Sequence, residues 1–524
     1  MKNEESRAGM RKLGRRDLLK IGTGVALSSV AARQAWSQGR GGESGGPTPA
    51  PASPRPPAEL RPHTGSGYIN NYDRLGHNGP MDDATRTIVK FVRGYNASDM
   101  TPATIAMTNR TMVDSMACAV CGFEYEPIRI GARLARHVQS TEHGLRSTVL
   151  GYGISTSAEL ASFVNSAMVR YVDFNDTPHD SNLIPAALAV GEALHSSGAD
   201  VMAAIVIGYE VMRTQSGESV APAMAAGKLM GLDEDRLANA VSLALVPHVA
   251  LNKGVGALSM WKGTRSAEAI KCGVWAALMA REGMTGNPQP FEGRGALWSR
   301  NGPGEWAKTG LPVQRDQMSI ERTWHKRFPS DQQSQGILNI MPEIRKWTRH
   351  DEIEAMQYDQ TFGNWQEVGG SAKWDPRNHD TADHSLPYVL ARNLIDGESY
   401  LDAFEDHKLP YRDPQVKALM DRLTVSAVRD WEGNGTARLT IRKKTGEVRT
   451  FDTHGGVRRA TPDDYLRRMT DEDVTAKFVR ACAYRKVGDA QRDKALAQWW
   501  DLRSIKDIAE PIRTLARFGT PRAL

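Results

Sequence analysis

Between residues 81 and 318 apolar positions recur every three or four residues, a spacing that gathers them on one face of a 3.6-residue turn. Segments 82–95, 102–121, 157–171, 182–196, 200–214, 221–232, 233–245 and 263–282 each carry this pattern over helical lengths. Gly122, Gly151-Tyr152-Gly153, Ser197-Gly198, Gly231 and Gly283 separate them. Gly231-Leu232-Asp233-Glu234-Asp235 reads as one helix end and the acidic cap of the next helix. Alanine and glycine are dense here, which lets helix axes approach closely. After about residue 321 the period changes. Segments 351–361, 423–428 and 437–453 are β-rich or alternating, and the last is a hairpin turning through Lys443-Lys444-Thr445-Gly446. Helical stretches at 333–348 and 382–396 lie between the strands. From residue 470 the helical spacing returns through Val474, Phe478, Leu496, Trp499, Trp500 and Leu515. The predicted fold is mainly α with α+β: a large all-helical domain over 67–320, a smaller α+β lid over 321–469, and C-terminal helices over 470–524 that pack back on the helical domain.

Composition narrows the class. The 524 residues are 40% hydrophobic and 24% charged, which excludes a mainly disordered or fibrous chain. No run of about 20 apolar residues is present, which excludes a helical membrane protein. The net charge of +6 invites a nucleic-acid reading, but residues 1–40 hold nine Lys/Arg and three acids and account for all of it. The remainder carries 58 basic and 58 acidic side chains, so the globular part has no basic field for nucleic acid or anionic lipid.

That basic segment reads as an address. Gly14-Arg15-Arg16-Asp17-Leu18-Leu19-Lys20, the mildly apolar run 21–32 and a small-residue cleavage pattern ending at Ser37 resemble a bacterial twin-arginine export signal. Residues 1–37 are thus expected to be removed, leaving a periplasmic or otherwise exported protein without membrane anchoring. Residues 38–66, almost wholly Gly, Pro, Ser, Ala and Arg, have no apolar face to bury and should form a solvated tether.

Cys118 and Cys121 form a C-x-x-C inside a helical pattern, while Cys272 and Cys482 stand alone. A zinc site would want a second pair, and an iron–sulfur cluster three or four thiolates, so the expectation is buried core thiols and no metal. Chemistry-bearing residues concentrate in four clusters. The first runs from Arg170 to Asn182 (Arg-Tyr-Val-Asp-Phe-Asn-Asp-Thr-Pro-His-Asp-Ser-Asn). The second is Ser259-Met260-Trp261-Lys262-Gly263. The third is Trp324-His325-Lys326-Arg327-Phe328-Pro329-Ser330-Asp331. The fourth joins Lys373-Trp374-Asp375-Pro376 to Ala382-Asp383-His384-Ser385-Leu386-Pro387-Tyr388. On local grounds Asp173 or Asp176 could equally cap the following helix, and His384 could be a core histidine bonded to backbone.

In this order and spacing the four clusters resemble the 2-methylcitrate dehydratase (MmgE/PrpD) family from about residue 81 to the end; Ala382–Tyr388 and Gly208-Tyr209-Glu210 are the most specific stretches. The resemblance implies a helical domain with an α+β lid, a homodimer, no cofactor, and a small polycarboxylate substrate. Its members include 2-methylcitrate dehydratases, a cis-aconitate decarboxylase and an iminodisuccinate epimerase. It assigns Asp173, His179, Lys262 and Lys326 to catalysis, and Thr177, His384 and Tyr388 to substrate binding. Asp331 falls where dehydratase-type members carry an acid. The loop from Thr177 to His179 is shorter than the family pattern.

The implied reaction is a hydro-lyase step: a base removes the proton α to a carboxylate, cations neutralise the enolate-like charge, and an acid protonates the departing β-hydroxide. Asp173 or His179 could serve as base and acid. Lys262 and Lys326 are expected to hold substrate carboxylates from opposite walls of a domain interface, where their loss would hardly move the melting temperature. The same pocket suits decarboxylation, epimerisation or isomerisation of a related acid. A protein that binds such acids without catalysis is the remaining alternative.

Overall fold

The computed structural model describes residues 81–138, 145–248, 257–292, 295–433, 435–453 and 467–524. The twin-arginine leader and the tether lie outside the described residues. The helical part contains α1 (Asp83–Gly94), α2 (Pro102–Gly122), α3 (Glu126–Arg136), a β1–β2 hairpin (Arg146–Val149 and Ile154–Ser157), α4 (Ala158–Tyr171), α5 (Ile184–Leu194), α6 (Gly198–Met212), α7 (Val220–Leu229), α8 (Glu234–Leu245) and α9 (Trp261–Arg281). Capping residues set several starts. Thr101 accepts the Thr104 N–H at 3.1 Å with Pro102 at the first helical position, and Asp233 accepts the Arg236 N–H at 2.9 Å.

Helix α4 lies at the centre, packed against α2 and α9, with a core running from Ile88 and Met112 through Val164 and Met168 to Val274. Small residues make this possible. A Cβ on Gly122 would stand 2.1 Å from the Met168 carbonyl oxygen, so only glycine lets α2 meet α4 there. Gly263 does the same for the site. Its missing Cβ would fall 2.7 Å from the Tyr171 ring and 3.1 Å from Tyr171 Cα, bringing the first turn of α9, and Lys262 with it, against the end of α4.

The second core belongs to a four-stranded sheet ordered β4-β3-β5-β6: β3 is Ile353–Thr361, β4 Leu423–Val428, β5 Ala437–Lys443 and β6 Val448–Asp452. β3 pairs parallel to β4 and antiparallel to β5, and β5–β6 is the hairpin. Helices α10 (Gln335–Trp347) and α11 (Leu386–Asp396) supply Ile337, Met341, Leu386 and Leu390 to a core shared with Tyr358, Leu439 and Ile441 of the sheet. Helix α12 (Asp471–Tyr484) then packs on α2, adding Val474, Phe478 and Cys482 to the first core. Helices α13 (Asp489–Trp500) and α14 (Ala509–Thr514) complete the chain. Cys118, Cys121 and Cys482 are buried free thiols, and Cys272 is half-buried. Among the described residues no helix is long and apolar enough to cross a membrane.

Candidate active site

The acidic loop begins where α4 stops. Asp173 takes a left-handed backbone (φ 50°), as does His179 (φ 82°), an uncommon conformation for side chains of this size that clusters at functional sites. The turn folds the Arg170 guanidinium back onto the Asp173 carboxylate. The two aspartates of this loop do different work. Asp176 braces the loop, accepting the Ser181 N–H at 3.2 Å, the Ser181 hydroxyl at 2.5 Å and the Tyr209 phenol at 2.9 Å. Asp173 caps nothing and faces cations. Asn175 Oδ1 lies 3.1 Å from His179 Nδ1, turning His179 Nε2 to 3.8 Å from Asp173 Oδ1. His179 is the member of this group that reaches solvent, with 24% of its side chain exposed.

The third cluster is pinned alongside by the Thr177 N–H donating to the Trp324 carbonyl at 2.8 Å. Lys326, fully buried, donates to the Asp173 carbonyl and Oδ2, both at 3.0 Å, and to the Ser330 carbonyl at 3.2 Å. Burial alone would raise the Asp173 carboxyl, but Arg170 and Lys326 hold it well below the usual carboxylate range. Beneath them Lys477 of α12 donates to Asp114 Oδ1 at 2.6 Å, the Phe174 carbonyl at 2.7 Å and the Lys326 carbonyl at 3.2 Å. Asp331 has one oxygen on the Ser334 N–H at 2.8 Å and no hydrogen bond on the other. Burial, with the Asp173 charge adding to it, pushes this carboxyl up to about 7.

The group is completed by Asp383 and His384, which precede α11. Lys262 Nζ donates to Asp383 Oδ2 at 2.6 Å, and His384 Nδ1 stands 2.8 Å from Asp383 Oδ1. Burial works against the Asp383 charge, but Lys262 and then His384 overcome it and hold the carboxyl at about 2. An ionised carboxylate only accepts, so Nδ1 of His384 carries the proton and Nε2 keeps its lone pair. That nitrogen lies 3.8 Å from Asp173 Oδ2. Burial, reinforced by Lys262, pushes His384 down to about 4, so the ring is neutral near pH 7. His379, stacked on Tyr171 at 5.2 Å, has no hydrogen bond at either ring nitrogen and is also pushed down to about 4 by burial.

The structure therefore brings Asp173, His179, Lys262, Lys326 and His384 into one group, and changes what several of them can do. Lys326 has all three N–H groups on Asp173 and Ser330, leaving none for a substrate carboxylate. Its removal would strand a buried aspartate, so the expectation of an unchanged melting temperature does not hold. Asp173, clamped by two cations, is a weak base. Tyr388 turns away from the group: its phenol donates to the Ala403 and Lys408 carbonyls inside the lid core. The Thr177 hydroxyl is taken by Gln332 Oε1 at 2.5 Å. Three residues of the group were not singled out from sequence: Arg170, Asp383 and Lys373, a lysine 1% exposed. All three lie inside the quoted clusters, but nothing in their spacing separates them from neighbours. Among the described residues no group of three or more His, Cys, Asp or Glu side chains is placed to hold a metal ion. A surface cleft of about 500 Å³, lined by Phe91, Tyr95 and Leu311, shares none of the residues of this site.

Comparison with known proteins spans both halves of this arrangement. The MmgE/PrpD N-terminal domain profile matches residues 86–301, and the MmgE/PrpD C-terminal domain profile matches residues 328–502. Cis-aconitate decarboxylase of Homo sapiens is 23% identical over 380 residues, covering 66% of this chain and 76% of that protein. The Mus musculus cis-aconitate decarboxylase is 23% identical over 378 residues, 66% of this chain and 75% of its own. That of Aspergillus terreus is 22% identical over 437 residues, 73% of this chain and 87% of its own. Asp173, His179 and Lys262 fall in the first matched region, and Asp331, Asp383 and His384 in the second, so with well over half of its length matched the chain belongs to the MmgE/PrpD family.

Proposed function

We propose that this chain is a lyase that acts on a small polycarboxylate through a carbanion α to a carboxylate, and that the step is loss of water. The observation that carries this reading is the fixed tautomer of His384, whose Nε2 lone pair is held toward Asp173 by the Asp383 carboxylate behind it. A neutral imidazole in that tautomer takes a proton; it has none to give at Nε2. The arriving polyanion raises its basicity, because nearby negative charge favours imidazolium. Lys262 has one N–H on Asp383 and two for the carboxylate that gains enolate character. Asp331, protonated below about 7, delivers its proton to the departing hydroxide. The C–H proton ends on His384, the C–O bond breaks with water leaving, and the C=C bond forms. Asp173 stays ionised and fixes the imidazolium once it appears.

Decarboxylation is the second reading, favoured by the relatives that bear that activity in their names. There the same Lys262 would stabilise the carbanion left by carbon dioxide, and a proton would have to return to carbon.

The test is a panel of 2- and 3-hydroxy tricarboxylates and cis-aconitate, followed by absorbance of the conjugated C=C bond and by carbon dioxide release. Rising absorbance without gas is the expected result, and gas release with cis-aconitate would establish the second reading. His384→Gln should lower kcat by about 10²–10⁴-fold for either, the usual contribution of a positioned base. No turnover of any panel member by the wild type would sink the lyase reading.

A further inference from the structure

Of the four buried lysines among the described residues, three hold a carboxylate oxygen at 2.6–3.0 Å: Lys262 on Asp383, Lys326 on Asp173 and Lys477 on Asp114. Lys373 is the exception. It is 1% exposed, and among the described residues its ammonium makes neither a hydrogen bond nor an ion pair. The backbone that carries it is fixed. Its N–H donates to the Gly370 carbonyl at 2.9 Å, and its own carbonyl accepts the hydroxyl of Ser385, the residue that caps α11 directly after His384. Lys373 thus belongs to the same rigid segment as the Asp383–His384 pair. The charges of Asp383, Asp331, Lys262 and Glu367 all bear on it. Asp331 Oδ2, the orphaned oxygen described above, is buried in the same surroundings.

A largely buried ammonium without a partner is costly, and the other three buried lysines among the described residues each have a carboxylate. Here an arriving anion would supply it. We propose that Lys373 is the receptor for a second, distal carboxylate of the substrate, Lys262 taking the carboxylate beside the reacting carbon. Lys373 then makes the site selective for polycarboxylates over monocarboxylates of the same chain length. The inference rests on the lyase reading for the position of the reacting carbon, but its test requires no turnover.

Glutarate and pentanoate share a five-carbon chain and differ in one carboxylate, and neither carries a leaving group. Calorimetric titration of the wild type should give a Kd for glutarate at least about tenfold below that for pentanoate, the size of one charge-assisted hydrogen bond. In Lys373→Met, which keeps the stem and removes the charge, that ratio should fall to near one. The ligand-free Lys373→Met should melt no lower than the wild type, and glutarate should no longer raise its melting temperature more than pentanoate does. A wild type with no preference for glutarate, or a ratio unchanged in the variant, overturns the proposal. A variant that melts well below the wild type or fails to fold overturns it too, because the ammonium would then be a structural group. Should the hydroxy-acid panel fail while the glutarate preference depends on Lys373, the lyase reading falls and the carboxylate receptor stands.

Discussion

Lys326 and Lys262 are both sealed from water beside an aspartate, yet they sit in opposite situations. Lys326 is saturated: Asp173 takes two of its hydrogens and the Ser330 carbonyl the third. Lys262 makes one bond, to Asp383, and keeps two N–H groups for something else. The same contrast runs through their aspartates. Asp173 is clamped by Lys326 and Arg170 on a left-handed turn, whereas Asp383 shares its charge with an imidazole that can change protonation. A buried cation whose donors are all engaged by protein belongs to the scaffold. One whose donors are incompletely engaged belongs to the pocket.

Lys326→Ala attacks the scaffold side and should have the largest effect. It leaves the Asp173 carboxylate with Arg170 alone and takes the ammonium from the Asp173 carbonyl, for a loss of about 3–5 kcal/mol in unfolding free energy. Urea melts of wild type and variant measure it, and a midpoint that barely moves would erase the contrast between the two lysines. Lys326→Arg should not restore stability, because a planar fork cannot reach three acceptors arranged around a point charge.

The second prediction sharpens the pocket side. His384 must be neutral and Asp331 protonated, so kcat/KM should be highest between about 4 and 7 and fall as pH rises through about 7. Asp331→Asn should cut kcat by about 10²-fold and abolish the alkaline fall. Stability gives an independent sign. The carboxyl of Asp331 is raised in the folded state, so its contribution is full below the unfolded value of about 3.9 and is lost as pH rises through about 7. Asp331→Asn should therefore melt above the wild type at pH 8 and lose that advantage near pH 4. Melting curves with the opposite order would show that the carboxyl is not held protonated.

The smallest effect is expected from Tyr388→Phe. Its phenol ties the Ala403 and Lys408 carbonyls, so about 1 kcal/mol of stability should go while kcat and KM stay within twofold. A large rise in KM would return Tyr388 to the substrate and move the boundary of the pocket.

What the sequence displayed, and what it hid, follows the range of the interactions. Helices with a wide apolar stripe were readable to within two residues: 82–95 against Asp83–Gly94, and 102–121 against Pro102–Gly122. Helix α3 was missed because its buried face mixes Pro127, Ile128, Ala132 and Ala135 with Arg129 while Ile130 and Leu134 are exposed, and the β1–β2 hairpin because four-residue strands are too short to show alternation. In the site, clustering pointed to Asp173, His179, Lys262, Lys326 and His384. Their partners could not be read, since Lys262 meets Asp383 across 121 residues and Lys326 meets Asp173 across 153. Tyr388 shows the reverse case: it belongs to the Ala382–Tyr388 motif, yet its phenol is spent on the Ala403 and Lys408 carbonyls.

Lys477 adds a constraint of timing. It comes from a helix that follows the lid in sequence, 151 residues after Lys326, and its ammonium joins Asp114, the Phe174 carbonyl and the Lys326 carbonyl beneath the site. A ribosome that has released residues up to 469 but not α12 has made every group that would touch substrate but not the lysine beneath them. Asp114 then lacks its cation, and the Phe174 and Lys326 carbonyls lack this donor. The site therefore gains this support only when α12 docks, after every group above it has been made.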